Sequence, residues 1–452
     1  MRIPVTKYFI GGALLISAFL DTAYAVPSFA RQTGFDCTVC HTVFPELTQT
    51  GREFKLRGYT MSNGEKSKMP LPLAAMIMVD MTKSSNNTGL ASDNLALTKD
   101  GKILIPQVSL FYAGKITDKS GAFIQLTYNG TDLPDKTDIA HHIGMDNMDI
   151  RYADSVMLAD KELVYGVTVN NNPTVSDLWN STPTWGFPYS ASAIAQSPGA
   201  ATMTEGLGQQ VGGIGVYGLW NDLIYAELAA YRSAKPGGIM GAFGWKNQGL
   251  KGDAALVQGT TPYARLALQH SFGNNYIMFG GYAMTTTINP AVISNASCLL
   301  DKYKDRAIDA EYQYTNGNNI ITATATKIWE KQTLDGSVAL LAPIADNLNN
   351  SLSTTRAKVS YYYDQKYGAS LGCFSITGTT DATKYDAMTT GTISPNSRGE
   401  IAEIDYLPTQ TIKLALQYTR YDKFDGASKN YDGSGRNASD NNNLYLLGWF
   451  MF

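Results

Sequence analysis

Alternation of apolar and polar side chains is the feature that most restricts the fold of this 452-residue chain. In the segment GAFIQLTY, Leu126 and Tyr128 fall on one face of an extended chain, whereas Gln125 and Thr127 fall on the other. The same alternation recurs in the segments ARLALQHSF and IKLALQY. Successive side chains of a strand point to opposite faces. Each segment therefore predicts a β-strand with one apolar and one polar side.

The connections between these segments differ in length. Short turns such as GNN, WND and LPTQT alternate with long polar stretches at 83–100, 286–308 and 425–441. Short turns at one end and long loops at the other are typical of outer-membrane β-barrels, in which alternation keeps the mean hydropathy low. Here the mean hydropathy is -0.16, and charged residues are only 17% of the chain. We therefore predict an all-β fold, a transmembrane antiparallel β-barrel.

The length of the barrel region limits the number of strands. Residues 73–452 suit about 16 strands if each strand takes about 9–11 residues plus a connection. The chain ends with NNLYLLGWFMF, in which Leu446, Phe450 and Phe452 share one face. A last strand that ends in phenylalanine is typical of barrels inserted by outer-membrane assembly machinery. A soluble β-sandwich with a chance terminal phenylalanine is the alternative.

Residues 1–25 have the pattern of a secretory signal peptide. Arg2 and Lys7 form a short basic region, an uncharged apolar run follows, and Ala23 and Ala25 form a small-x-small cleavage site. The apolar run is shorter than a membrane-spanning helix requires. We therefore expect this segment to be removed and the mature chain to reach the bacterial outer membrane.

A cysteine–histidine motif lies near the start of the expected mature chain. The chain has only 4 Cys and 4 His, yet Cys37, Cys40 and His41 fall within five consecutive positions. In an exported protein C-x-x-C-H indicates haem c attachment, with two thioether bonds from the cysteines and iron ligation by the histidine. A redox disulfide, a zinc site that lacks a fourth ligand, and coincidence are the alternatives. We predict one covalent haem.

The segment that carries the motif, residues 26–72, is too small to enclose a haem alone. Domains below about 40 residues usually need outside support. The run PELTQTGREFKLRG predicts one helix from Pro45 to Gly58. We therefore expect this monohaem segment to pack in or against the lumen of the barrel, which can accommodate a plug.

Two stretches resemble a known family. The first is VPSFARQTGFDCTVCHTVFPELTQTGREFKLRGYTM, around the motif, and the second is VNNNPTVSDLWNSTPTWGFPYSAS at 169–192. Both resemble the outer-membrane monohaem cytochrome c of iron-oxidising bacteria, a cytochrome–porin fusion. The resemblance implies an Fe(II) oxidase that takes electrons from extracellular Fe(II). It would pass them inward to a periplasmic cytochrome or copper protein.

The second axial ligand of the iron is left open by the sequence. Met69 is the first choice, because the segment KMPLP follows the predicted helix closely enough for a short loop to bring Met69 back to the iron. A five-coordinate iron is also compatible with the sequence. The rival ligands are Met61, Met76, Met78, Met81, His141 and His142.

Basic residues crowd the haem segment. Arg31, Arg52 and Lys55 are candidates for charge-assisted hydrogen bonds to the haem propionates. Solvated surface or lumen charges are the alternative. Elsewhere the sequence shows no basic patch, which argues against a nucleic-acid partner.

Two acidic residues are candidates for guiding Fe(II). Glu403 and Asp405 lie opposite the apolar face of their predicted strand, so both are expected to point into the lumen. Carboxylate oxygens suit this cation, but ordinary lumen polarity is the alternative.

Two further features are left open. The stretch 170–188 contains several prolines and tryptophans, which predicts either an inward-folded segment near the haem or a surface loop. Cys298 and Cys373 form a disulfide outside the cytoplasm or remain apart.

Three other functions are alternatives to iron oxidation. The first is an electron conduit for another extracellular donor or acceptor. The second is a transport porin with a structural haem, which predicts an open lumen and solute flux that does not depend on His41. The third is a soluble periplasmic haem protein, which a salt wash would release from membranes.

Overall fold

A computed structural model describes residues 27–63, 71–86, 100–131, 143–233, 256–290, 299–340, 343–386 and 392–452. The predicted signal peptide lies outside the described residues, as do Met69, His141, His142 and Cys298. The two alternatives for Cys298 and Cys373, bonded or apart, therefore fall outside the described residues. Among the described helices, none has the length and apolar character needed to cross a membrane.

Strands account for most of the described chain. They are β1 Leu73–Ser84, β2 Ile103–Thr117, β3 Ser120–Asn129, β4 Ile143–Leu158, β5 Lys161–Asn170, β6 Val211–Trp220, β7 Ile224–Ser233, β8 Leu256–Val257, β9 Thr261–Phe272, β10 Asn275–Asn289, β11 Asp301–Asn316, β12 Asn319–Thr333, β13 Asn349–Tyr363, β14 Tyr367–Gly378, β15 Ser397–Thr409, β16 Ile412–Lys423 and β17 Asn443–Met451.

These strands form one closed antiparallel barrel. Neighbours in chain order pair with each other, and β17 returns to pair with β1 from Met451 opposite Met76 onwards. Strands β8 and β9 both pair with β10, and Gly259, with φ 71°, lies in the left-handed region between them. These two form one interrupted barrel strand, so the 17 described strands make a 16-stranded barrel, as predicted.

The connections give the barrel a short-turn end and a long-loop end. The turns at 159–160, 221–222 and 364–365 hold two consecutive residues at positive φ, as tight hairpin turns require. The C-terminal Phe452 and Ala75 of β1 exchange backbone hydrogen bonds at the short-turn end. In outer-membrane barrels the short turns face the periplasm and the longer loops face outside. The short-turn end is therefore the periplasmic end.

The outward face of the wall is apolar. Large apolar side chains such as Leu266, Phe279 and Ile404 are exposed there. Near the short-turn end, exposed tyrosines form a girdle, which comprises Tyr165, Tyr312, Tyr361, Tyr363, Tyr367 and Tyr406. An apolar band bordered by aromatic side chains is the lipid-facing surface of an outer-membrane barrel. The chain is thus a porin-like barrel of the bacterial outer membrane.

Three short helices precede the barrel: α1 Pro27–Thr33, α2 Cys37–Cys40 and α3 Gln49–Leu56. We call residues 27–63 the plug. Helix α3 begins at Gln49, so the predicted start at Pro45 is wrong. The reason is the N-cap: Oγ1 of Thr48 accepts a hydrogen bond from the backbone N–H of Gly51 at 3.2 Å.

Later in the chain, short helices occur only in connections of the described barrel. They are α4 Met203–Gly206, α5 Asp335–Ala339, α6 Ala382–Asp386, and the 3-10 helices Pro183–Trp185 and Ala438–Asn441.

The connection from β5 to β6 folds into the lumen. We call residues 171–202 the inner loop. Its Asp177 is fully buried and pairs with Arg265 of β9 at 3.2 Å, and Arg265 also pairs with Asp309 of β11 at 2.6 Å. Trp179, 1% exposed, packs beside this ion-pair network. The segment 170–188 is therefore folded inward and is not a surface loop.

Candidate haem-binding site

The C-x-x-C-H motif lies at the short-turn mouth of the barrel. The backbone N–H of Cys37 donates to Oε1 of Gln410 at 2.8 Å, in the turn between β15 and β16. Gln365, in the turn between β13 and β14, donates to the carbonyl oxygens of Thr38 and His41, each at 3.1 Å. Two periplasmic turns therefore hold the backbone of the motif.

His41 has one ring nitrogen engaged. Its Nδ1 lies 3.1 Å from the carbonyl oxygen of Glu46, and its ring packs on Phe44 with the ring centroids 4.7 Å apart. Burial lowers the pKa of His41 to about 4, so the imidazole is neutral at pH 7. A neutral imidazole that donates its Nδ1–H to a carbonyl presents Nε2 to a metal.

A cavity of about 450 Å³ extends from the motif into the lumen. Cys37, Cys40 and His41 all line it. Ligand cavities are commonly about 300–1,000 Å³ and mostly apolar. Beside polar side chains such as Gln125 and Asn147, the remaining wall here carries many aromatic and thioether side chains. These are Phe29, Phe44, Phe54, Met76, Met78, Phe111, Phe123, Trp185 and Trp449. The donor set, the volume and the lining fit a haem held by the motif.

Helix α3 packs directly against the motif. A Cβ atom on Gly51 would lie 2.1 Å from the carbonyl oxygen of Cys40. The same carbonyl accepts a hydrogen bond from the backbone N–H of Thr48 at 3.0 Å. Only glycine leaves room for this approach, so Gly51 sets the position of α3 relative to the second cysteine.

Two of the candidate second ligands lie in the cavity wall. Met76 and Met78, 3% and 5% exposed, occupy the lumen face of β1 and line the cavity. Met61 and Met81 are not among the lining residues. Met69, the first choice, lies outside the described residues and stays a prediction.

Of the three basic residues predicted to bind propionates, Lys55 lines the cavity and Arg31 and Arg52 do not. The Nζ atom of Lys55 donates to Oδ1 of Asn180 at 3.0 Å. Burial, with Arg151 nearby, lowers the pKa of Lys55 to about 7. A carboxylate bound beside this amine would favour its charged form.

The other two basic residues bind protein groups. Arg31 donates to the carbonyl oxygen of Leu73 at 2.5 Å, and Arg52 pairs with Glu311 of β11 at 3.1 Å. Both contacts join the plug to the barrel wall. Their predicted propionate role has no geometric support in the described residues.

One cation in the cavity wall is not apparent from the sequence. Arg356 of β13 lines the cavity, and its guanidinium pairs with Glu205 at 2.7 Å. Nothing in the local sequence marks this arginine, because its place in the cavity depends on how β13 sits relative to the inner loop. The candidate propionate partners in the described cavity are therefore Lys55 and Arg356.

Glu46 joins the motif to the barrel wall. The backbone carbonyl of Glu46 accepts a hydrogen bond from the ring of His41. Its side-chain Oε1 pairs with Nζ of Lys358 on β13 and lies 3.4 Å from the hydroxyl of Tyr189. The Glu46 and Lys358 side chains are only 5% and 2% exposed. The pair therefore fixes the carbonyl that orients the histidine ring.

Glu403 and Asp405 face the lumen, as predicted, but Lys413 of β16 engages both. Its Nζ lies 2.8 Å from Oε1 of Glu403 and 3.2 Å from Oδ1 of Asp405. Neither carboxylate lines the cavity. Within the described ranges, no group of three or more His, Cys, Asp and Glu side chains is arranged to hold a metal ion. Their role toward Fe(II) stays a prediction.

The plug, the inner loop and the wall share buried hydrogen bonds. Asn180 of the inner loop donates to the carbonyl oxygen of Pro45 at 2.8 Å. Arg151 of β4 donates to the carbonyl oxygens of Lys55 and Ser176, at 3.1 and 2.6 Å. The cavity is thus bounded by three parts of the chain that are held to one another.

No protein-family profile and no curated protein matches this sequence. Among solved structures, an anion-selective porin from Comamonas acidovorans is similar, with 11% identity over 84% of this chain and 98% of that chain, at a TM-score of 0.45. The outer-membrane channel DcaP of Acinetobacter baumannii gives 10% identity over 84% and 96%, at a TM-score of 0.45. Salmonella typhi OmpF in complex with daunomycin gives 12% over 84% and 97%, at a TM-score of 0.43. These are distant likenesses, and the barrel assignment rests on the strand pairing above.

Proposed function

We propose that this chain is an outer-membrane monohaem cytochrome that oxidises extracellular Fe(II) and passes each electron inward to a periplasmic cytochrome or copper protein. One observation carries the proposal: Cys37, Cys40 and His41 line a single cavity inside a membrane-spanning barrel. A transport barrel has no need of this arrangement. The Fe(II) substrate rests on the sequence resemblance.

The geometry supports transfer across the membrane. The motif is held at the periplasmic mouth, whereas Gln107 and Asp146 line the cavity from the long-loop halves of β2 and β4. The hydrocarbon core of a bilayer is about 30 Å thick, which is too wide for one direct transfer. A haem in the cavity would supply one-electron transfer between the two sides. One electron per haem matches the conversion of Fe(II) to Fe(III).

The roles of the protein residues follow from their contacts. Cys37 and Cys40 would anchor the haem, and His41, oriented by the Glu46 carbonyl, would ligate the iron. Lys55 and Arg356 would bind its propionates. The aromatic side chains of the wall would shield part of the haem from water, and burial is one of the factors that set the reduction potential of a haem.

The test is direct reduction by Fe(II). Oxidised, detergent-solubilised protein is mixed anaerobically with Fe(II), and the reduced haem band is followed. We expect about one electron taken up per chain, at least tenfold slower in His41→Ala. His270→Ala, which changes a histidine on the outward face of β9, is the matched control and should react like the wild type. Reduction by dithionite but not by Fe(II) would contradict iron oxidation and favour another electron donor.

A transport porin is the second candidate, because barrels of 16 strands commonly enclose an aqueous channel. The plug and the inner loop occupy the lumen, so we expect little ion conductance when the full chain is inserted into planar bilayers. Large conductance that is unchanged in His41→Ala would favour transport over electron transfer.

A further inference from the structure

The outward face of β11 carries three cations in succession. Lys302, Lys304 and Arg306 are exposed, whereas the intervening residues of the strand are buried toward the lumen. On β12, the outward positions Lys327 and Lys331 flank Trp329, and Nζ of Lys327 lies 5.3 Å from the centre of the Trp329 ring. We call these five cations the basic patch.

Strand register brings the patch together. Lys304 lies directly opposite Lys331, and Arg306 lies opposite Trp329. Like charges placed directly across from each other on one face are destabilising. Such an arrangement on a surface that faces the bilayer is expected to meet an external anion.

The flanking positions are neutral and mainly hydroxyl-bearing. On β10, Thr287 lies opposite Lys302 and Thr285 lies opposite Lys304. On β13, Ser351 lies opposite Lys331. The remaining cross-strand partners of the patch also lack a carboxylate, and they are Ala283, Ile308, Thr333, Ser353 and Thr355. Hydroxyls beside cations suit a ligand that accepts hydrogen bonds and carries negative charge.

The depth of Lys302, Lys304 and Lys331 places these three cations at the outer headgroup region, whereas Lys327, opposite Ile308, lies deeper in the apolar band. Lys302 and Lys304 lie at the long-loop end of β11, and Tyr312 of the periplasmic girdle lies eight to ten residues further along. At about 3.3 Å per residue and a tilt of about 40°, this separation is roughly 20–25 Å along the membrane normal. The lipid-facing apolar band of such barrels is about 25 Å tall. Arg306, nearer the midplane, has a side chain long enough to reach the same level.

We propose that the basic patch binds the phosphate groups of the anionic glycolipid, lipopolysaccharide, that forms the outer leaflet. The chain alone gives no sign of this surface, since its five cations come from two strands and are separated by uncharged or lumen-facing residues. The sequence alone predicts no basic patch, and the strand pairing corrects this prediction. The proposal is independent of haem and of Fe(II).

The test compares two double variants of the full-length protein in detergent. Lys304→Gln/Lys331→Gln removes the directly opposed pair, and Lys161→Gln/Lys366→Gln removes two lysines near the short-turn end. Each protein is titrated with lipopolysaccharide, with its chemically dephosphorylated form and with inorganic phosphate, and bound lipid is measured by native mass spectrometry. We expect the first variant to bind lipopolysaccharide roughly tenfold more weakly and the second to bind like the wild type.

The lipid controls test whether the phosphate groups of the lipid are what the basic patch binds. Dephosphorylated lipid should bind the wild type as weakly as lipopolysaccharide binds the patch variant, and inorganic phosphate should not compete at equal concentration. The proposal is overturned if the two variants bind alike, if dephosphorylation has no effect, or if free phosphate displaces the lipid. Resistance of the unheated barrel to detergent denaturation verifies folding. Lys304→Arg/Lys331→Arg, which keeps both charges, should restore binding.

Discussion

On the proposed function, we expect a Gly51→Ala variant to carry far less covalently attached haem than the wild type, while the barrel still forms. The added Cβ would lie 2.1 Å from the carbonyl oxygen of Cys40, inside any allowed contact distance. Helix α3 must then move away from the motif, and the hydrogen bond from Thr48 to that carbonyl is lost with it. Overpacking of this kind costs about 1–3 kcal/mol and occasionally more, so we expect about a tenfold fall in the haem-bearing fraction. Haem stain per chain, measured against folded barrel on unheated gels, reports it.

The matched control for this change is Gly206→Ala. No atom would lie within 4 Å of a Cβ on Gly206, which ends helix α4. Its haem content should equal that of the wild type. If Gly51→Ala carried as much haem as the wild type, α3 could shift without loss of haem attachment. The close approach of α3 to Cys40 would then not determine the site.

A Lys358→Met variant is expected to destabilise the docked plug by about 3–5 kcal/mol, the usual cost of leaving one member of a buried ion pair without its partner. Glu46 is 5% exposed at its side chain and pairs with this lysine. Its backbone carbonyl holds Nδ1 of His41, so the change also affects the proposed iron ligand. We expect a lower denaturant midpoint for the change in haem absorption and a shifted haem reduction potential.

The double variant Glu46→Gln/Lys358→Met shows whether the loss of stability comes from an unpaired buried charge or from a general defect in folding. It removes both charges, so most of the stability lost in Lys358→Met should return. Lys161→Met, which replaces an exposed lysine at the start of β5, is the control and should leave the midpoint unchanged. The single variant Glu46→Gln completes the comparison. If the stability losses of the two single variants simply add up in the double variant, Glu46 and Lys358 act separately.

The barrel was largely predictable because its signal is local. Strand alternation has a period of two residues and is visible in segments such as GAFIQLTY, and the chain length then limits the strand number. The C-x-x-C-H motif is equally local. By contrast, the helix start was misplaced because Pro45 is suited to a first turn, whereas Thr48 supplies the actual cap.

The residues that sequence analysis missed depend on contacts between distant parts of the chain. Arg356 enters the cavity, and Lys358 reaches Glu46, only because β13 stands behind the inner loop and the plug. Arg52 looked like a propionate partner because it lies near the motif, but its partner Glu311 is 259 residues away. Neither hydropathy nor spacing encodes such pairings.

The pairing of the first and last barrel strands at the seam has a consequence for biogenesis. Strand β1 closes the cylinder against β17, and the plug precedes β1 in the chain by only a few residues. The plug also bonds to β11 and β13, which lie on other parts of the wall. Closing the seam therefore encloses the plug inside the barrel, together with any group already attached to the plug. If the motif carries haem as proposed, a chain that closed the seam before haem attachment would have to admit the haem through the crowded periplasmic mouth. We therefore expect attachment to precede insertion into the membrane.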